Sequence, residues 1–495
     1  MLPLSIFSVN LLSDNLLLLA SVLVFFAILI TKVGARFGAP SLLLFLLLGM
    51  IVGADGLGLK FEDYEVAESI GHFAMTIILL TGGLETSFVE TRPVMHKGIL
   101  LSTLGVLLTA ILTGTFAYLA CGKWIGALGA SFLGCFLLAS VMSSTDSASV
   151  FSVLRGKRSK LRENLGPMLE LESGSNDPMA YVLTIILVQI LTSVKKTGSW
   201  AMVWTGAWVL VAQIAIGLVI GIGLGFGAKW LLKKVSLPSN ALYSVLILSV
   251  AFFANGLTSI LYGNGLLALY VAAIIIGNNL DSTRKRDILK FFDGMTWLMQ
   301  LLMFLMLGLL ARPSQFSTIA WPALAIGVFM MLVARPVSVF LCLLPFRDMS
   351  FKAKGFASWV GLKGAGPILF ALCPVVAGLE GSTEIFNIVF FITLTSLIVQ
   401  GMTLSPAARW LKLSYDEDPE VESFGLEIPD EMGMLRDHTV SEHDLEHGET
   451  LRDLHLPHGI RVMMVKRGER FLVPHGSMAL QPGDHLIIIM GDSDD

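Results

Sequence analysis

The sequence predicts an all-α polytopic membrane protein of about 13 transmembrane helices, followed by a small α/β cytoplasmic domain. Three observations lead there. Of 495 residues, 54% are hydrophobic and only 15% are charged, and the mean hydropathy is +0.75. A soluble chain of this length carries far more charge and divides into two or three domains. Apolar stretches of about 20 residues recur along most of the chain, each long enough to cross a ~30 Å hydrocarbon core. Basic residues gather on alternate loops between them.

Taken in order, the thirteen apolar segments fall at roughly 14–31, 40–57, 68–85, 97–120, 126–150, 165–193, 201–230, 240–261, 264–280, 293–311, 317–345, 354–376 and 384–410. The opening Met1–Asn15 has no basic region and no small-residue cleavage pattern after it, so Asn15–Thr31 reads as a retained first helix. With the N-terminus outside, the inner loops carry nineteen Lys and Arg, from Lys32 to Lys354, and the outer loops carry five. The pair Lys195-Lys196 is the one basic cluster on the outer side. The positive-inside rule therefore orients the chain with its N-terminus out and its C-terminus in the cytoplasm. The net charge of −4 gives no ground for a nucleic-acid partner. Cys121, Cys135, Cys342 and Cys373 lie in or beside apolar segments without CxxC spacing and read as buried, reduced thiols.

Two spans look broken. In the fifth, Ser140–Val150 crowds small hydroxylated residues around Asp146; in the twelfth, Gly361–Pro367 brings three glycines and a proline, which oppose continuous helix. Broken spans at corresponding places in two halves point to the midplane site of an inverted-repeat transporter. The competing reading is a pair of kinked helices with small-residue packing faces.

Between the two lies Leu169–Tyr181, with Glu172, Ser173, Asn176 and Asp177 ahead of a strongly apolar run. Acids inside a membrane are costly, and they mark ion or proton pathways. On a helix, Ser173 and Asp177 share one face, as do Glu172 and Asn176. Asp177 and Ser173 can therefore offer oxygens to one dehydrated cation, helped by carbonyls near Thr145 and Asp146. Asp177 is expected to take a proton or a monovalent cation, one at a time, which makes the chain a cation/proton exchanger. The bland alternative is that Asp177 caps or braces a helix. Asp146 either touches the ion or holds the half-helix N-terminus of its broken span. Arg335 and Lys363 lie within spans, and Glu172 is expected to pair with one of them. Glu85, at the inner end of the third span, is an entrance carboxylate or an ordinary interfacial charge. Asn255, Asn264, Asn278 and Asn279, near span ends, read as interfacial.

After Trp410 the composition changes. Residues 1–411 are expected to form the transmembrane domain, 412–450 an acidic linker and 451–495 a small regulatory domain. In that domain Gly459–Gly468, Phe471–Pro474 and His485–Met490 read as strands.

With these residues laid out, the chain resembles the cation:proton antiporter-1 family, within its NhaP-like bacterial branch, over roughly residues 14–411. Ser144-Thr145-Asp146-Ser147, Glu172-Ser173 with Asn176-Asp177, Arg335-Pro336 and Gly361-Leu362-Lys363-Gly364-Ala365 carry the resemblance. It implies a homodimer in a bacterial inner membrane, inverted repeats with two crossed discontinuous helices, and elevator-like movement of a six-helix core. It implies that Asp177 is the cation/proton carboxylate with Asn176 as partner, that Thr145, Asp146 and Ser173 lie near the ion, and that Glu172 with Arg335 forms a core ion pair. The Asn-Asp pairing implies electroneutral exchange. Two positions depart from the family pattern: Lys363 stands where arginine is usual, and Pro178 follows Asp177 where glycine is usual, a change expected to alter the local helix.

The tail resembles the TrkA-C type of ligand-sensing domain, on Asp453–Pro457, Val473–Ser477 and Leu480–Asp484. That resemblance implies a small-molecule or nucleotide ligand and favours K+ over Na+ or Li+ as substrate. Relatives with this tail often continue into a further cytoplasmic domain. A regulated potassium channel is the rival class, but no TVGYG-like carbonyl filter is present. Neither HExxH nor GxSxG occurs, so an enzyme is not expected, nor is a cofactor.

Overall fold

The computed structural model describes residues 16–37, 40–125, 128–146, 150, 159–193, 200–416, 435–441, 443–445, 448, 450–454, 460–467 and 470–490. These fall into two compact units that divide between Tyr415 and Asp416.

The first unit is helical. Its helices are α1 (Leu16–Phe37), α2 (Ser41–Val52), α3 (Tyr64–Glu85), α4 (Phe88–Trp124), α5 (Phe132–Val141) and α6 (Leu165–Ser193). Next come α7 (Trp200–Lys234), α8 (Asn240–Ile260), α9 (Gly265–Gly277), α10 (Ser282–Leu310) and α11 (Pro313–Leu343). The twelfth is in two halves, Phe351–Trp359 and Ala365–Val376, together α12, and α13 (Ser382–Trp410) ends the unit. Among the described residues, eight helices are long and apolar enough to cross a bilayer, and five shorter apolar ones occupy the remaining expected segments. Side-chain caps set several starts: Asp63 accepts from the Val66 N–H, Ser131 from Gly134, and Ser350 from Ala353. The outward faces stay apolar; Trp204, Trp208, Phe226 and Trp230 of α7 are all exposed, as lipid-facing residues are.

The helices pack as two bundles. One gathers α1, α2, α3 and α7–α10; α7 lies on α9, α10 on α2, and α3 against α9 and α10. The other gathers α4, α5, α6, α11, α12 and α13; α4 lies on α5, α6 on both, and α11 on α12 and α13. The bundles meet along a sparser seam, where α6 and α12 touch α3, α7, α9 and α10.

Both expected breaks lie in the second bundle. Helix α5 ends at Val141, and residues 143–146 leave helical geometry. The first half of α12 ends at Trp359, and the chain is non-helical over 361–364 before helix resumes at Ala365. The breaks cross: the Asp146 N–H donates to the Leu362 carbonyl at 2.9 Å. Pro178 does not interrupt α6, which runs through it as one 29-residue helix.

The second unit is an antiparallel sheet of β1 (Leu435–Thr439), β2 (Ile460–Arg467), β3 (Arg470–Leu472) and β4 (His485–Met490), ordered β1-β4-β2-β3. Val440, Leu454, Val465, Leu480, Leu486 and Ile488 form its core. Strand β1 lies inside the stretch expected to be linker; its Leu435–Thr439 pairs along the whole of β4 up to Ile489. Its sequence, Leu-Arg-Asp-His-Thr, has one apolar residue in five and so carries no strand periodicity; pairing with the apolar β4 holds it in the sheet.

Candidate ion-binding site

The crossing of the two breaks gathers most of the expected residues. Helix α6 presents Ser173, Asn176 and Asp177 to the first break. Ser173 Oγ donates to the Thr145 carbonyl at 2.7 Å, and Asn176 Nδ2 donates to Thr145 Oγ1 at 2.6 Å. Asn176 and Thr145 are buried, whereas Asp177 and Asp146 keep partial exposure. Asn176 Oδ1 is buried and has no hydrogen-bond partner among the described residues. A buried amide oxygen left without a donor is an open acceptor of the type that hard cations take as a ligand.

The glycines of the second break make this approach feasible. A methyl group on Gly366 would stand 3.3 Å from Asp177 Oδ1, and one on Gly364 would fall 2.0 Å from Asp146 Oδ2. A methyl on Gly361 would stand 3.2 Å from Arg335 Cγ. The three glycines of the Gly-Leu-Lys-Gly-Ala-Gly run thus each face a different charged side chain.

The remaining deep charges sort into two roles. Arg335 Nη2 lies 2.5 Å from Glu172 Oε1, with side chains only 4% and 1% exposed. Arg335 directly follows a π-helical turn, Met330–Ala334, and precedes Pro336. Proline removes a backbone donor, and widened turns occur where a helix re-registers around such a loss. Lys363 takes a different partner from the Glu172 expected of a core ion pair: its Nζ donates to the Ser144 carbonyl at 2.7 Å, and its own N–H donates to Ser396 Oγ at 3.0 Å. A compact ammonium suits one carbonyl left bare by a broken helix.

Glu85 is not brought to this cluster. It ends α3, whereas Met75 of the same helix is the residue near Gly366, and ten residues of helix separate the two by ~15 Å. Asn264 is buried rather than interfacial: it caps α9 through the Leu267 N–H and donates to the Pro178 carbonyl at 2.9 Å. Asn255 likewise reaches inward, to Thr76 Oγ1 at 3.0 Å. Sequence reasoning gave Asn264 and Ser396 no part in the site, and took Ser144, Gly364 and Gly366 only as members of the motifs and of the broken span, without a contact for any of them. Only the glycines had a legible signal, since three within six residues of an apolar span demand close approach.

Two broken helices that cross beside a carboxylate, inside a bilayer-spanning bundle, define a secondary ion transporter. The chain belongs to the sodium/hydrogen exchanger family: the transmembrane pattern of that family matches residues 21–410, and the TrkA-C domain pattern matches residues 435–494. It is similar to a K(+)/H(+) antiporter NhaP2 from Shewanella baltica, 38% identical over 480 residues, which are 96% of this chain and 81% of that one. A K(+)/H(+) antiporter NhaP from Alkalimonas amylolytica is 37% identical over 93% of this chain and 75% of its own. Among solved structures, the sodium proton antiporter MjNhaP1 from Methanocaldococcus jannaschii shares the fold, with a TM-score of 0.68 and 22% identity, over 79% of this chain and 97% of that one.

Proposed function

We propose that the protein exchanges K+ for H+, one for one, with Asp177 holding either ion in turn. The observation that carries the proposal is the placement of Asp177 Oδ1 against Gly366, at the point where the two broken helices cross. Asn176 Oδ1 and the oxygens of Thr145 and Ser173 would complete the alkali-ion shell, with Asp146 beside it. Charge supports the stoichiometry. Asp146, Glu172 and Asp177 against Arg335 and Lys363 leave one net negative charge when all are ionised. One K+ or one H+ cancels it, and a neutral core is the form that moves through a low-dielectric region at least cost.

Movement would take the second bundle past the first along the seam, opening Asp177 to either side in alternation. The first bundle would hold a homodimer together, in a bacterial inner membrane with the N-terminus outside and the C-terminus in the cytoplasm. The C-terminal unit would bind a small-molecule or nucleotide ligand. Potassium is favoured because the relatives at 37–38% identity are named K(+)/H(+) antiporters. A relative from Bacillus atrophaeus, 29% identical over 57% of this chain, is named a Na(+)/H(+) antiporter.

The test is proton flux in proteoliposomes under imposed K+, Na+ or Li+ gradients. The expected result is flux driven best by K+, at a rate unaffected by membrane potential. Asp177→Asn should leave assembly intact and abolish exchange; wild-type flux in that variant would refute the role of Asp177.

A further inference from the structure

Away from the crossing, Glu68, His72 and Cys373 each present a ligand atom, and the three atoms lie within 4.8 Å of one another. Glu68 and His72 are one turn apart on α3, with His72 Nε2 4.0 Å from Glu68 Oε1. Cys373 comes from the second half of α12 and is buried, whereas the Glu68 and His72 side chains are 21% and 28% exposed. We propose that these three residues bind a borderline-soft divalent cation of the zinc class, and that the bound ion clips the two helical bundles together.

The donor set argues for this ion and against a second seat for the transported one. A thiolate, an imidazole and a carboxylate suit zinc-class ions, whereas alkali ions take oxygen donors alone. Zinc bonds to sulfur, nitrogen and oxygen of about 2.0–2.3 Å place tetrahedral donors roughly 3.5 Å apart. Side-chain rotation of about 1 Å therefore closes the observed trio. The Cys373 thiol gives its proton to solvent as the metal binds. Partial exposure of the other two ligands leaves the fourth position to water.

The ligands come from opposite sides of the seam. Helix α3 packs chiefly on α9 and α10 of the first bundle, and α12 belongs to the second. The His72 ring also stands edge-on to Tyr181, with centroids 5.1 Å apart, and Tyr181 lies one turn along α6 from Asp177. The trio thus sits beside the path to the candidate ion site, ~6–12 Å along α3 from its Tyr64 end. That end is external in the orientation proposed above. The clip, though not the site itself, rests on the proposal that exchange requires the bundles to slide.

Two measurements on the full-length protein separate these claims. Titration of detergent-solubilised protein with Cd2+ should give a thiolate-to-cadmium charge-transfer band that saturates at one ion per chain. Cys373→Ser, which keeps the other three cysteines, should lose it, and His72→Ala should weaken binding roughly tenfold or more, since even outer-shell changes cost about 10–100-fold. In proteoliposomes, Zn2+ added outside should slow exchange by wild-type protein and leave Cys373→Ser at its metal-free rate. A missing band, or a band unchanged in Cys373→Ser, overturns the site. A Cys373-dependent band with exchange untouched by saturating metal overturns the clip. Protein that shows the band but exchanges no ion in metal-free buffer would count against the transport reading and leave the site standing.

Discussion

Replacing Glu172 and Arg335, singly and together, tests the charge logic of the core. The two groups stand 2.5 Å apart with 1% and 4% of their side chains exposed, so each is the other's principal compensation. Removing one partner of such a buried pair leaves an uncompensated charge and costs about 3–5 kcal/mol, whereas replacing both with apolar groups of similar volume is often neutral or stabilising. Glu172→Leu and Arg335→Met should therefore each lower the melting temperature in detergent, followed by tryptophan fluorescence. The double variant should recover most of the loss. Transport should follow the same pattern for a separate reason. Glu172→Leu brings the net charge of the empty core to zero and Arg335→Met brings it to two negative, so both should stall. The double variant restores one negative charge and should exchange K+ for H+ measurably. A double variant whose destabilisation equals the sum of the singles would refute the compensation, and a stable but inactive double variant would refute the charge count.

Four further outcomes follow. Gly364→Ala would place a methyl group 2.0 Å from Asp146 Oδ2 and 2.7 Å from Asp146 Cβ, so the carboxylate must move and flux should fall at least tenfold. Gly366→Ala meets Asp177 Oδ1 at 3.3 Å, a contact that a small shift relieves, and it should raise the half-saturating K+ concentration more than it lowers maximal flux. Lys363→Met strips the Ser144 carbonyl of its donor and adds a net negative charge, so the melting temperature should fall and the protein that does fold should show no exchange activity. In the C-terminal unit, burial works to raise the Asp484 carboxyl, and the paired bonds from Arg467 at 2.8 and 2.7 Å with the Gln481 N–H outweigh it, leaving it below its ordinary value. A lowered folded value means the stabilisation is complete above pH ~4 and lost as pH falls through that value. Limited proteolysis after Trp410 should therefore accelerate only at strongly acid pH in wild type, whereas Arg467→Met, which leaves the buried carboxylate without its ion partner, should be cleaved faster than wild type at neutral pH and gain least from raising the pH.

Much of the first unit was legible because a bilayer leaves few options. Every backbone polar group must be paired internally, so apolar length maps directly onto helices. The crossing was legible in part: Asp146, Asn176 and Asp177 announce themselves as polar groups in apolar runs, and Gly361–Pro367 cannot continue a helix. The partner of Lys363 was not legible, because a backbone carbonyl carries no residue signal; Ser144 O needs a donor only because the helix breaks there. Asn264 read as interfacial because it flanks a span, yet α9 is short and its cap lies deep enough to reach Pro178. Cys373 read as an inert thiol, and about 300 residues of sequence separate it from Glu68 and His72. Nothing in periodicity brings such residues together.

The two breaks are better understood as one structure than as two defects. Unwinding a helix in a membrane bares carbonyls and N–H groups that no water can satisfy, at several kcal/mol each. Here the Asp146 N–H goes to Leu362 O, Ser144 O receives Lys363 Nζ, Thr145 O receives Ser173 Oγ, and the Lys363 N–H goes to Ser396 Oγ. Three of these four bonds link residues of α5 and its break to α6 or to the second break, so neither break is tolerable unless the other elements are in place. With these backbone groups satisfied by protein, Asn176 Oδ1 remains without a partner beside a partly exposed Asp177. Under the proposed exchange an incoming ion would meet that open oxygen, within a scaffold whose backbone groups need not change partners to receive it.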